Sequence, residues 1–144
     1  MTRSPQPGRS AVLYTTRMSD APEAADPRYL AGVERFNAGD YFAAHEVWEE
    51  LWRDCRAADR RFYHSLIQAA VAIYHAERGN RTGAERLREA GREKAAGYPA
   101  RYYGIDIADF WRGVATYTEA ALDRRPAARP LIGVPTLTGP TDDR

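Results

Sequence analysis

Apolar positions between Pro27 and Arg124 recur every three or four residues, the spacing of one helix face, and no segment alternates cleanly with a period of two. The pattern predicts five helices and no sheet. The first runs from about Pro27 to Ala38, with Asp26 as N-cap and Pro27 at the first helical position. Gly39 ends it. The second spans about Asp40 to Asp54, and the third about Asp59 to Arg78, stopping at Gly79. The fourth starts at Thr82, where Thr82-Gly83-Ala84-Glu85 has the spacing of a capping box, and ends at Gly97 before Pro99. The fifth starts at Asp106, runs to about Arg124, and is closed by Pro126.

The flanks read differently. Residues 1–26 are punctuated by Pro5, Pro7, Gly8 and Pro22, the composition of a disordered tail, with Met18 as an alternative start. Residues 125–144 form a Pro-rich C-terminal tail, in which Leu131–Val134 is a candidate for docking as an extended strip. Residues 27–124 are then one helical domain, long enough to bury a core without disulfide or metal staples. Within it lies a weak repeat. Gly39-Asp40-Tyr41-Phe42-Ala43-Ala44 is echoed by Gly79-Asn80-Arg81-Thr82-Gly83-Ala84. Each copy ends one helix on Gly, turns on Asp or Asn, and opens the next helix with small residues. The spacing resembles tetratricopeptide-type repeats, but two units are too few for an open solenoid. The expected fold is all-α, a compact five-helix bundle of two antiparallel hairpins plus a closing helix.

The second helix carries the chemically suggestive pattern. With His45 at zero on a helical wheel, Glu49 falls at ~40° and Trp52 at ~−20°. Tyr41, Phe42 and Trp48 lie on the same side, while Glu46, Glu50 and Arg53 occupy the opposite one. His45 and Glu49 are therefore expected to face the core. A carboxylate there needs a partner or a raised pKa. The i,i+4 spacing offers two solutions, a His–Glu hydrogen bond or joint ligation of one metal ion.

The third helix is apolar almost all round, with a narrow polar stripe of Arg61, His64, Gln68 and His75. If that stripe meets the second helix, His45, Glu49, His64 and Gln68 form a ligand-poor cluster suited to a divalent metal ion, with open positions for water. Such positions serve hydrolytic chemistry. Tyr41, Trp48 and Trp52 would wall the pocket, and His75 would lie at its edge, too far along the axis to share the ion.

Composition adds mainly exclusions. Lys and Arg total 21 against 20 Asp and Glu, so there is no basic field for nucleic acid. No apolar run approaches the ~20 residues that span a bilayer, and no apolar core of a signal peptide follows Arg3 and Arg9. Cys55 is the single cysteine, which fits a reducing cytoplasm. No phosphate-binding glycine loop or serine-nucleophile motif occurs. A homodimer through the apolar face of the fifth helix is a further expectation; the identity of any small-molecule or protein partner is open.

Several motifs in order carry a family resemblance. They are Phe36-Asn37-Ala38-Gly39-Asp40-Tyr41, Ala44-His45-Glu46 with Trp48-Glu49 and Trp52, Leu66-Ile67-Gln68-Ala69 through Tyr74-His75, Gly79-Asn80 with Gly83-Ala84, and Tyr103-Gly104-Ile105-Asp106. Over roughly residues 28–122 the chain resembles the prokaryotic family catalogued as domain of unknown function 309. The resemblance implies an all-helical fold and a His-xxx-Glu-xx-Trp motif suggested to bind metal, here His45, Glu49 and Trp52. It implies no established activity. Two function classes follow: a divalent-metal-binding protein of hydrolytic type, or a non-catalytic repeat-like interaction module with a buried His–Glu hydrogen-bond network.

Overall fold

The structure, a computed structural model, describes residues 25–133. The N-terminal stretch through residue 24, including Met18, and the C-terminal stretch from Val134 lie outside the described residues. Five helices account for most of the described chain: α1 (Pro27–Asn37), α2 (Tyr41–Asp54), α3 (Asp59–Glu77), α4 (Arg81–Ala95) and α5 (Ile107–Leu122). Between α4 and α5 sit two short strands, β1 (Arg101–Tyr102) and β2 (Ile105–Asp106).

Local chemistry sets most of the boundaries. Asp26 caps α1 by accepting from the Arg28 amide at 2.8 Å, and Pro27 fills the first turn where its missing N–H costs nothing. The sequence repeat is a repeated helix stop. Gly39 (φ 86°) and Gly79 (φ 81°) both take the left-handed conformation that glycine adopts without strain. In each case the next amide reaches back five residues, Asp40 to the Arg35 carbonyl and Asn80 to the His75 carbonyl, both at 2.9 Å. Asp40 and Asn80 then cap the following helices through their side chains. The Thr82 capping box does not form. Asn80 already holds the Gly83 amide at 3.0 Å, and Glu85 pairs with Arg81 at 3.1 Å, so α4 begins one residue earlier than Thr82.

The absence of a sheet is also corrected. Tyr102 pairs with Ile105 and Arg101 with Asp106 across a tight turn in which Tyr103 (φ 54°) and Gly104 (φ 75°) both have positive φ. That is the hairpin turn whose twist matches paired strands. Two-residue strands are too short to leave a period-two signature.

Helix α3 is the centre, packing against α2, α4 and α5, while α1 covers α2. Ten of its nineteen residues are buried, small ones such as Ala69, Ala70, Ala72 and Ala76 among them. Glycines permit two close crossings. A Cβ on Gly32 would meet the Trp48 indole at 2.0 Å, and one on Gly91 would meet Trp111 at 2.5 Å and Gln68 Cβ at 3.1 Å. The apolar side chains Ile107, Phe110, Trp111 and Val114 of α5 are buried within the chain itself. Beyond α5 the chain runs extended over the first hairpin. Asn37 receives the Ile132 amide and donates to the Ile132 carbonyl, both at 2.8 Å, and the Ile132 side chain is buried. Arg129 lies over Gly39, in the space a Cβ would fill. Among the described residues no helix is long and apolar enough to cross a membrane.

Candidate functional site

The Asp40 cap fixes the phase of α2, and that phase sends Trp48 and not His45 into the core. Trp48 is fully buried, donates from Nε1 to the Tyr29 carbonyl at 3.1 Å, and packs on Phe36. Tyr41 is buried against the same Phe36 ring. Neither wall residue expected at the site reaches it; both are spent on α1. His45 and Glu49 are instead half-buried, with side chains 20% and 37% exposed. The expected core placement is therefore corrected to the rim of a shallow strip between α2 and α3. The wheel gives direction around the axis but not depth, and Phe42, on the same side as His45, is 48% exposed.

The His45–Glu49 geometry is specific. The His45 ring lies with Nδ1 3.2 Å from the Phe42 carbonyl. A carbonyl only accepts, so Nδ1 carries the proton and donates. That leaves Nε2 as a lone pair in the neutral ring, and it faces Glu49 Oε2 at 3.8 Å. This distance is too long for a hydrogen bond, and both atoms are acceptors. The other Glu49 oxygen accepts from Arg53 at 3.3 Å. One carboxylate oxygen and one imidazole nitrogen thus look at each other across a gap that a shared cation or donor would bridge.

Helix α3 runs antiparallel along the strip. His64 sits on the Trp52 ring at 4.7 Å between centroids, and Trp52 also carries the Arg60 guanidinium at 4.1 Å. Trp52 thus stacks with His64 and Arg60. Partial burial, and then the positive charges of Lys94, Arg60 and Arg61, hold His64 below its ordinary value, with Glu49 pulling the other way. The Gln68 Cβ packs against Gly91 of α4, and its Oε1 is buried without a hydrogen-bond partner. His75 is elsewhere, at the α3–α4 turn, where its Nδ1 accepts from Asn80 at 3.2 Å and its ring lies beside Gly83. Among the described residues no three His, Cys, Asp or Glu side chains gather closely enough to hold an ion. His45, Glu49 and His64 therefore do not gather as a unit: His45 faces Glu49, His64 lies on Trp52, and the Gln68 Cβ packs against Gly91.

Sequence reading missed a second polar cluster. The Asp59 carboxylate accepts from the Tyr102 hydroxyl and, at 2.6 Å, from the Tyr103 hydroxyl, while Tyr103 shares a 2.8 Å hydrogen bond with Tyr63. Desolvation first, then the neighbouring Asp59 and tyrosines, push the Tyr102 and Tyr103 hydroxyls far above the usual phenol range. These phenols stay protonated and act as donors. The signal lay in Tyr102-Tyr103-Gly104, a turn dipeptide within a tyrosine run, but nothing in the spacing linked it to Asp59 more than forty positions earlier.

Residues 29–87 match the model of the family described as Domain of unknown function (DUF309). The resemblance read from the sequence is borne out over that segment, which covers α1 to the middle of α4. Among curated relatives, an uncharacterized protein of Aquifex aeolicus (strain VF5) is 26% identical over 83% of this chain and 38% of its own length. The uncharacterized protein YpuF of Bacillus subtilis (strain 168) is 45% identical over 41% of this chain and 35% of its own length. The chain thus spans little more than a third of the length of the curated relatives it matches. No solved structure matches it.

Proposed function

We propose that this chain is a ligand-binding helical domain and that the His45–Glu49 pair is a two-point seat for a divalent cation. The observation that carries this is the facing of two acceptors, Nε2 and Oε2, at 3.8 Å. Two donors bound to one ion at ~2.1 Å stand roughly 3 Å apart, so a small side-chain rotation closes the gap. Coupling to the Phe42 carbonyl fixes the tautomer that leaves Nε2 open for an ion. Two protein donors leave the rest of the shell to water or to the ligand. A shell of that kind activates bound water, which is the hydrolytic reading.

The test is titration of untagged protein with Zn²⁺ or Mn²⁺, followed by calorimetry. One saturable site is expected, lost in His45→Ala and kept in His75→Ala. Binding that survives His45→Ala unchanged, or no saturable binding at millimolar metal, overturns the reading.

A second reading, a non-catalytic interaction module, is favoured by one observation. The two helix stops at Gly39 and Gly79 use the same backbone bonds, as stacked helical repeats do. On that reading His45→Ala weakens the fold without any metal dependence of stability.

A further inference from the structure

We propose that the corner formed by Trp52, Arg60, His64 and Lys94 binds a phosphate group. Arg60 stands in the first turn of α3, half-buried, with its Nε shielded from solvent and lacking any hydrogen-bond partner. Its guanidinium is laid on the Trp52 ring, and His64, one turn further along α3, is laid on the same ring. Helix α4 brings a second cation. Because Gly91 lies against Ser65 and Gln68 and α4 runs antiparallel to α3, Lys94 comes one turn nearer the start of α3, beside His64. Its half-buried ammonium is close enough to depress the His64 imidazole.

Among the described residues Arg60, Arg61 and Lys94 form no ion pair, and the one carboxylate that acts on His64 is Glu49. Glu49 is ion-paired with Arg53, and the Asp59 carboxylate is held by the Tyr102 and Tyr103 hydroxyls, so neither reaches the Arg60 or Lys94 side chain in an ion pair. Partly desolvated cations without partners carry a free-energy penalty that an anion removes. Two half-buried cations, with Arg61 at the edge, exceed what one carboxylate neutralises and suit a dianion with several acceptor oxygens. A phosphate monoester and inorganic phosphate share that chemistry. The corner uses none of the atoms of the His45–Glu49 pair, so the two sites stand or fall separately.

Anion binding is linked to His64. A phosphate offsets the positive charges of Lys94, Arg60 and Arg61, which after partial burial lower the His64 pKa, so binding raises it, and protonated His64 binds phosphate more tightly. Glu49, the remaining charge facing His64, acts in the same direction with or without ligand.

The experiment is an NMR titration of the His64 ring in the full chain against pH. It is run with inorganic phosphate, a small phosphate monoester, and acetate as the carboxylate control. Phosphate is expected to raise the His64 pKa with saturation, and to bind at least about tenfold more tightly than acetate, the difference of one added charge contact. Lys94→Gln, at a half-exposed position that tolerates the change, is expected to weaken phosphate binding about tenfold, and Arg60→Lys to weaken it less than Arg60→Gln. His45→Ala leaves phosphate binding unchanged. A response to the monoester alone identifies an organic phosphate as the ligand; a response to both identifies the phosphate group itself. A His64 titration indifferent to both phosphates, acetate binding as tight as phosphate, or full phosphate binding by Lys94→Gln overturns the proposal. None of these outcomes alters the metal titration at His45.

Discussion

Gly32 and Trp48 meet where α1 crosses α2, and the indole occupies the space a methyl group would need. The Trp48 N–H is buried and bonded to the Tyr29 carbonyl, so the ring has little room to retreat. Gly32→Ala is expected to cost about 1–3 kcal/mol through overpacking, read as a lower urea midpoint at unchanged slope. His64 gives a pH prediction of definite sign. Its folded-state pKa is lowered, so between that value and its ordinary one the unfolded chain binds more protons. Its contribution to stability is therefore complete above the ordinary histidine value and declines as pH falls through it, levelling off once the folded ring protonates. Urea midpoints at about pH 5 and about pH 7.5 are expected to differ less in His64→Gln than in the parent. At this scale the sequence was a partial guide. The i,i+4 spacing of His45 and Glu49 was legible because it is a property of one helix. Which of His45 and Trp48 went deepest was not, because depth depends on where α1 lies.

The elements owe their ends to caps that are local, and those were legible: Asp26 before Pro27, Gly39 before Asp40, Gly79 before Asn80. Thr82 misled because two overlapping caps competed and the one with the glycine stop in front of it won. The β1–β2 hairpin was invisible, since its stability comes from outside itself. Tyr102 and Tyr103 tie it to Asp59, the first residue of α3. Tyr103→Phe removes one donor from the half-buried Asp59 carboxylate and leaves the buried Tyr63 hydroxyl without its partner. A loss of about 1–3 kcal/mol is expected in thermal unfolding, with far-UV helicity intact. The α3–α4 seam is equally specific. Gly91→Ala drives a methyl against Trp111 and the Gln68 stem, and a cost of similar size is expected, about 1–3 kcal/mol. The matching signature is increased solvent exposure of Trp111 in fluorescence quenching.

Across the whole molecule, α3 packs most heavily on α4, α2 and α5, meets α1 through Tyr29 and Tyr63, and carries the most buried residues. Its central amides are expected to exchange hydrogen slowest, at the rate of global unfolding. The segment after α5 is held by far less, the paired hydrogen bonds of Asn37 to Ile132 and the buried side chains of Pro130 and Ile132. Asn37→Ala is expected to make the Ile132 amide exchange hydrogen faster while leaving α3 protection unchanged. That separation distinguishes local release from loss of the fold. The arginine draped over Gly39 adds a genetic consequence. Any residue with a Cβ at position 39 evicts the Arg129 guanidinium, which swings aside cheaply, and also strains the backbone at φ 86°, which nothing distant relieves. Two positions ninety residues apart are therefore epistatic in one direction only. Once Arg129 is alanine, substitution at Gly39 loses its steric share and keeps its conformational one, so a compensating change at the far end of the chain recovers part of the defect and never all of it.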